Sequence, residues 1–290
     1  ILYNMSENLH INGMTIGNNV FRNKHYDIAE GYDSYVLKEY FTQRPGLNAD
    51  IDQVSTVEVQ RALNRNFEVL GTNMTTALCT FSTTRGGINI LTAGADEDQA
   101  IIAPHLDTAA TAWSGIKWGT ENKVEWTCSI STLNDITNQK IWAGLKLTND
   151  QLVVTDSDQL FFKFQTDATN SEAFTDFTKL HFIHSIAGTD YISRLPITVA
   201  ADTTYHFKIS INSNRRATIF VNGFQYNVTT TPASTGGTSV TKTTESLVTT
   251  LTGELSNDVD LIPYIGIESG ESAQKSLIVH KQCISRILHE

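Results

Sequence analysis

The sequence has little of what most metal, redox and nucleic-acid chemistry requires. It holds 3 cysteines in 290 residues, at Cys79, Cys128 and Cys283. An odd, widely spaced set makes no disulfide framework, and without CxxC spacing or clustered histidine it makes no zinc site. These cysteines are expected as small buried apolar side chains. Basic residues are also short: 21 Lys and Arg stand against 31 Asp and Glu, a net charge of −10. The longest basic run is the pair Arg215-Arg216. A field of that sign repels phosphate, which argues against a nucleic-acid partner. No apolar run approaches the ~18 residues that span a bilayer, so no membrane partner is expected.

The motifs of common catalysis are missing too. There is no Gly-rich phosphate loop before a helix, no GxSxG elbow and no HExxH. His181 and His184 are three apart, which on a strand sends them to opposite faces and leaves no shared metal site. Glu121 and Glu125 lie near Trp126; their four-residue separation on a strand puts them on one face, but too far apart to work directly as a retaining glycosidase pair. They are expected as exposed or edge charges. The sequons at Asn4, Asn73 and Asn227 are what a chain rich in Asn and Thr yields by chance. The chain therefore predicts no enzyme, no cofactor and no metal.

What is present is a β pattern. Residues 205–228 alternate apolar and polar side chains around two turns, Asn212-Ser213-Asn214 and Asn222-Gly223. Asn-Gly supplies the positive φ that a type I′ hairpin needs at both central residues, so three antiparallel strands form a meander. Further strands are predicted on both sides of Arg85-Gly86-Gly87, then over 98–106, 113–119, 123–133, 139–148, 160–166, 179–187, 260–269 and 275–288. Short strands at this spacing, with no alternating helices, predict an all-β sandwich or barrel.

Before the strands the chain reads differently. Residues 1–54 predict an irregular, extended N-terminal arm, with a short helix over 30–41 and a break at Pro45-Gly46. The arm either lies on a neighbouring subunit or packs on its own body. Residues 55–71 predict a connecting helix: Ser55 and Glu58 form a capping box, Val59, Ala62, Leu63, Phe67 and Leu70 make a stripe, and Gly71 stands at C′. Residues 72–290 are the sandwich domain. Within it, 229–257 is rich in Thr and Ser and predicts a long mobile excursion from one edge.

Four residues are candidates for ligand contact. Trp113 and Trp118 fall in a turn-rich stretch and could offer an open platform for a sugar ring, whereas Trp126 and Trp142 sit inside alternating strands and are expected in the core. Asp156 and Asp158 could both reach one hard cation, but two carboxylates fall short of the six to eight oxygens calcium takes, so an Asx turn is the better reading.

Two resemblances add to this. TTYHFKISINSNRRATIFVNGFQYNV resembles the strand–turn–strand of concanavalin A-like and laminin-G-like jelly rolls, which implies a jelly-roll β-sandwich. The order NFEVLGTNMTTALCTF, WSGIKWGTENKVEW, IWAGLKLTN, DSDQLFFKF, IAGTDY, YHFKISINSNRRATIFVNG, DLIPYIGIES and KSLIVHKQCISR is similar to a group of tailed-phage virion structural proteins of the capsid decoration or cement kind. That resemblance implies a homotrimer on the outer capsid surface, assembled in the host cytoplasm and contacting the major capsid protein, with no catalytic residues carried over. A carbohydrate-binding module of a virion fibre, with glycan as partner, is the alternative.

Overall fold

The computed structural model describes residues 34–47, 67–104, 118–167, 174, 176–233, 236–244 and 249–287. In chain order the strands are β1 Ser34–Glu39, β2 Gly46–Leu47, β3 Phe67–Gly71, β4 Cys79–Phe81, β5 Ile88–Leu91 and β6 Gln99–Pro104. There follow β7 Trp118–Gly119, β8 Glu125–Thr132, β9 Gln139–Lys146, β10 Gln159–Gln165, β11 Lys179–Ile186 and β12 Thr189–Thr198. The last six are β13 Thr204–Ile211, β14 Ala217–Val221, β15 Phe224–Tyr226, β16 Thr238–Ser239, β17 Asp260–Ser269 and β18 Ser276–Ile287.

They make an all-β, two-sheet sandwich. The smaller sheet runs β15-β14-β13-β8-β18-β5-β4, with β1 also on β18. The larger runs β16-β12-β11-β10-β9-β17-β6-β3-β2, with β7 also on β17. The chain passes between sheets at β1 to β2, β3 to β4, β5 to β6, β7 to β8, β8 to β9, β12 to β13, β15 to β16 and β17 to β18. Each strand therefore lends alternate residues to the layer between the sheets.

That layer is apolar. Phe162 of β10 stacks on Phe207 of β13 with ring centroids 4.5 Å apart. Ile130, Ile141, Leu180 and Tyr205 line the same small cavity between the sheets. Burying one such side chain is worth about 1.5–3 kcal/mol, so this layer supplies most of the driving force. The meander has the predicted geometry. Asn222 and Gly223 have φ of 51° and 80°, and the Asn222 carboxamide oxygen accepts the His206 N–H at 2.8 Å. Asn212 does the same at the other turn, accepting from the N–H groups of Asn214 and Arg216. All three cysteines are buried free thiols.

Several expectations are corrected. Ser34–Glu39 is not helical: it is β1, antiparallel to β18 with Leu37 opposite Ile284. Of the predicted connecting helix, 55–66 lies outside the described residues. Phe67–Gly71 is strand, held between β2 and β6 and buried at all five positions. Phe67 and Leu70 suit a helical stripe, but a strand buried on both faces takes the same residues, and pairing with β6 decides it. The described part of the arm joins the body's own sheets, β1 on one and β2 on the other. β12 had no counterpart in the sequence reading. Its start is the tight turn at Ala187 and Gly188, both with positive φ.

The Thr- and Ser-rich connection is pinned where it is described. Thr252 and Leu255 are buried and their N–H groups donate to Ala217 and Arg215 carbonyls. Ala233 and Val240 donate to Asp190 and Arg194 of β12, so this segment crosses the edge of the sandwich and ties the sheets together. Among the described residues no helix is long and apolar enough to cross a membrane.

Candidate functional site

The larger sheet has a second buried face. Cross-strand register puts Lys140, Trp142, Gly144 and Lys146 of β9 beside Gln159, Phe161, Lys163 and Gln165 of β10. His181, Ile183 and Ser185 of β11 join them on one side, and Ile262, Tyr264, Gly266 and Glu268 of β17 on the other. This is the face turned away from the smaller sheet. Its lysines are as buried as the core phenylalanines.

Residues 147–158 cover part of it and accept from Lys146, Gln159 and Lys163, while Trp142 Nε1 is buried without an acceptor among the described residues. Lys163 Nζ donates to the Gln151 carbonyl at 2.9 Å and to that residue's side-chain oxygen. Lys146 Nζ donates to the Leu152 carbonyl at 3.3 Å and to Gln159 Oε1, lies 4.2 Å from the Phe161 ring centroid and pairs with Asp156 at 3.3 Å. Gln159 Nε2 donates to the Val153 carbonyl and to Ser185 Oγ. Gly266 leaves room for Trp142: a Cβ there would stand 2.2 Å from the indole.

Lys140 lies at one end. Its Nζ contacts Glu268 Oε1 directly across the ladder and sits 3.5 Å from Asp167 Oδ2. Gln99 Nε2 donates to the other Glu268 oxygen at 2.5 Å. Burial pushes the Glu268 carboxyl up, against the opposing pull of Lys140 and Gln99. Burial works to lower Lys140, but Glu268 and Asp167 outweigh it and leave it raised.

The predicted ligand residues fare differently. Trp113 lies outside the described residues. Trp118 is not an open platform: it is β7, 2% exposed and paired with Leu261. Asp156 does not face a cation site. Its Oδ2 accepts the N–H groups of Leu147 and Thr148, both at 3.1 Å, and its Oδ1 accepts the Thr148 hydroxyl at 2.8 Å. Asp158 points elsewhere and accepts the Ser256 N–H at 2.9 Å. Both aspartates are buried and hold loops, in place of the local Asx turn. Among the described residues no group of three His, Cys, Asp or Glu side chains could hold a metal. Glu125 accepts from Lys208 Nζ and Ser210 Oγ, each at 3.1 Å, on the smaller sheet.

One cluster on the smaller sheet's outer face has a catalytic look. His280 occupies a bulge in β18, where the register with β8 shifts between Val279 and Lys281. Its Nε2 is 2.7 Å from Ser131 Oγ, which also meets Thr204 Oγ1 at 2.7 Å. The other ring nitrogen bonds to the Gly86 backbone, and burial is the main cause of a lowered His280 pKa. A Ser–His pair can activate a nucleophile. Here Ser131 is 0% exposed, so no substrate carbonyl reaches it, and the network fixes the bulge.

Sequence reasoning missed the buried lysine face. The available signal was that Lys140, Lys146 and Lys163 share their side of the strands with Trp142 and Phe161. Large aromatics rarely stand among solvated lysines unless something covers them.

No protein-family model matches the chain, and no curated protein matches it. Among solved structures, one similar chain is a protein of unknown function from Shewanella oneidensis MR-1, at 10% identity and TM-score 0.46, covering 95% of this chain and 98% of that one. Another is the carbohydrate recognition domain of Emp46p in its potassium-bound form, at 6% identity and TM-score 0.43, covering 81% and 94%. A third is the alginate lyase from Corynebacterium sp., at 9% identity and TM-score 0.39, covering 72% and 81%. Identities and scores this low transfer no activity.

Proposed function

We propose that the protein is a non-enzymatic structural component of a virus particle, a jelly-roll subunit on the outer surface of a phage capsid that contacts the major capsid protein as a homotrimer. The virion assignment rests on the sequence resemblance. The observation that carries the structural role is the closed outer face of the larger sheet. Its lysines are held by residues 147–158, by Gln159 and by Glu268 and Asp167, although Trp142 Nε1, Gln165 Oε1 and His181 Nε2 are buried without a hydrogen bond among the described residues, so the face acts as a second core layer. Contacts with partners then fall to the outer surfaces and to the chain before residue 34.

A glycan-binding role is the second reading, favoured by exposed aromatics on the smaller sheet. Tyr40 is 51% exposed, with Lys38 and Lys281 near its ring, and Phe81 is 47% exposed beside Arg44. An aromatic face flanked by cations suits a sugar, above all an acidic one.

Light scattering of the full chain and of residues 34–290 tests the first reading. The cut stops at 33 because β1 and β2 belong to the sheets. A trimer that dissociates on deletion, with the body still folded, supports it; monomers in both cases remove the assembly role. A glycan array then decides for the second reading if a signal appears and Tyr40→Ala abolishes it.

A further inference from the structure

The chain contains several well-buried lysines, and one of them is placed to react. We propose that Lys140 Nζ and the Glu268 side chain join in an intramolecular amide that locks β9 to β17, with Asp167 relaying the proton. The two side chains are directly opposite in the ladder and in contact. Asp167 Oδ2 is 3.5 Å from the same Nζ. All three are buried, so water neither competes for the carboxyl carbon nor hydrolyses the product. Fixed contact between amine and carboxyl removes the entropic barrier that keeps this condensation slow in solution.

The step balances without an external reagent. A proton passes from the Lys140 ammonium to the Glu268 carboxylate, leaving amine and neutral acid; burial favours the neutral acid at Glu268, while Glu268 and Asp167 hold Lys140 raised, so this transfer is the uphill part of the step. The nitrogen lone pair adds to the carboxyl carbon, forming the N–C bond. The Gln99 N–H at 2.5 Å from Glu268 Oε2 stabilises the developing oxyanion. Asp167 takes the surplus proton from nitrogen and delivers it to the departing hydroxyl. The C–O bond breaks, one water leaves, and Asp167 returns to its starting state. Two buried charges disappear, along with their desolvation cost.

The other buried lysines lack this arrangement. Lys146 has the carboxylate of Asp156, but the Leu147 and Thr148 N–H groups and the Thr148 hydroxyl already occupy both of its oxygens, and Nζ stands 3.3 Å away. Lys163 Nζ meets the oxygens of Gln151. Lys275 pairs with Asp135 and Glu271, whose side chains are 51% and 38% exposed, so their carboxylates stay hydrated.

Intact mass of the full chain, measured fully denatured, reads the bond directly. The proposal expects a chain lighter than its sequence by one water. Trypsin should no longer cut after residue 140, and a branched peptide should link the segments holding 140 and 268. Lys140→Arg should restore the sequence mass. Asp167→Asn should leave a mixture in which the lighter species is the minority. A wild-type mass equal to the sequence overturns the proposal, as does a branch that maps to any other pair. A fully cross-linked Asp167→Asn variant overturns the relay. The mass is read on protein first purified in its folded form and then denatured, so oligomeric state does not affect it and unfolded chains are excluded.

Discussion

The two outward faces of the sandwich differ in what they do with charge. On the smaller sheet, Arg85 pairs with Asp202 and Lys208 with Glu125 at a surface that water still reaches, with side-chain exposures of 32% and 54% for the first pair. On the larger sheet, Lys146 pairs with Asp156 at side-chain exposures of 0% and 1%. The same ion pair therefore means different things on the two sides. Water screens the first kind until it is worth ~0–1 kcal/mol. The second kind has already lost its water, so breaking one pair strands a charge.

Removing one partner on the buried face should give the largest effect. Asp156→Ala leaves the Lys146 ammonium without its carboxylate and two N–H groups without their acceptor. A loss of about 3–5 kcal/mol is expected from urea unfolding at neutral pH. Combining Lys146→Met with Asp156→Asn removes both charges and keeps an acceptor for Leu147 and Thr148. That double variant should regain much of the loss. If it is no better than Asp156→Ala, packing of the loop and not stranded charge sets the cost.

Acid should separate the faces next. His184 points between the sheets and stacks on Tyr191 with centroids 4.6 Å apart. His181 is on the covered outer face, 4.5 Å from Phe174. Burial lowers His184 from 6.5 to about 3; burial and then the nearby Arg194 charge lower His181 from 6.5 to about 4. Both folded values lie below the unfolded value, so the unfolded chain binds the protons first. Stability is fully present above about pH 6.5 and falls as pH drops toward 4, at up to about 1.4 kcal/mol per pH unit for each histidine. Urea midpoints at pH 7 and 4.5 read this slope. His184→Phe should flatten it; an unchanged slope would assign the acid sensitivity to other groups.

Much of the smaller sheet was legible in the sequence and the buried face of the larger one was not. The meander announced itself through local chemistry, because Asn222-Gly223 fixes the turn and alternate residues fix the register. Most strands of the larger sheet were legible as strands, from 98–106 to 260–269. Their environment was not, because period-2 alternation is lost when both faces are buried. β9 is buried at every position, so its pattern says strand and nothing about what lies on either side. β12 was hidden for a related reason: its polar residues Asp190, Ser193 and Arg194 bond to Ser185, Thr229 and Ser239, and only Ser193 of the three is fully buried. At β3 a stripe that fits helix or strand was settled by a partner far along the chain. The candidate site failed on the same ground. Asp156 looks like a ligand in sequence because nothing local shows that Leu147 and Thr148 already use it. The turn itself gives a smaller test: Gly223→Ala should cost about 1–2 kcal/mol through its positive φ, and leave the buried lysines untouched.

The smallest effect is expected at the exposed pair, and it bears most directly on the contrast. Arg85 Nη2 is 3.0 Å from Asp202 Oδ1 and its Nη1 donates to the Thr132 carbonyl at 3.3 Å. A double-mutant cycle with Arg85→Ala and Asp202→Ala isolates the charge term from the backbone contact, which only the arginine makes. The coupling should be under about 1 kcal/mol and should shrink as salt shortens the Debye length to a few ångströms. The same cycle on Lys146 and Asp156 should be larger and almost insensitive to salt. A salt-insensitive coupling at Arg85 would mean that this face, too, is covered in the assembled protein, and the two sides of the sandwich would then follow one rule.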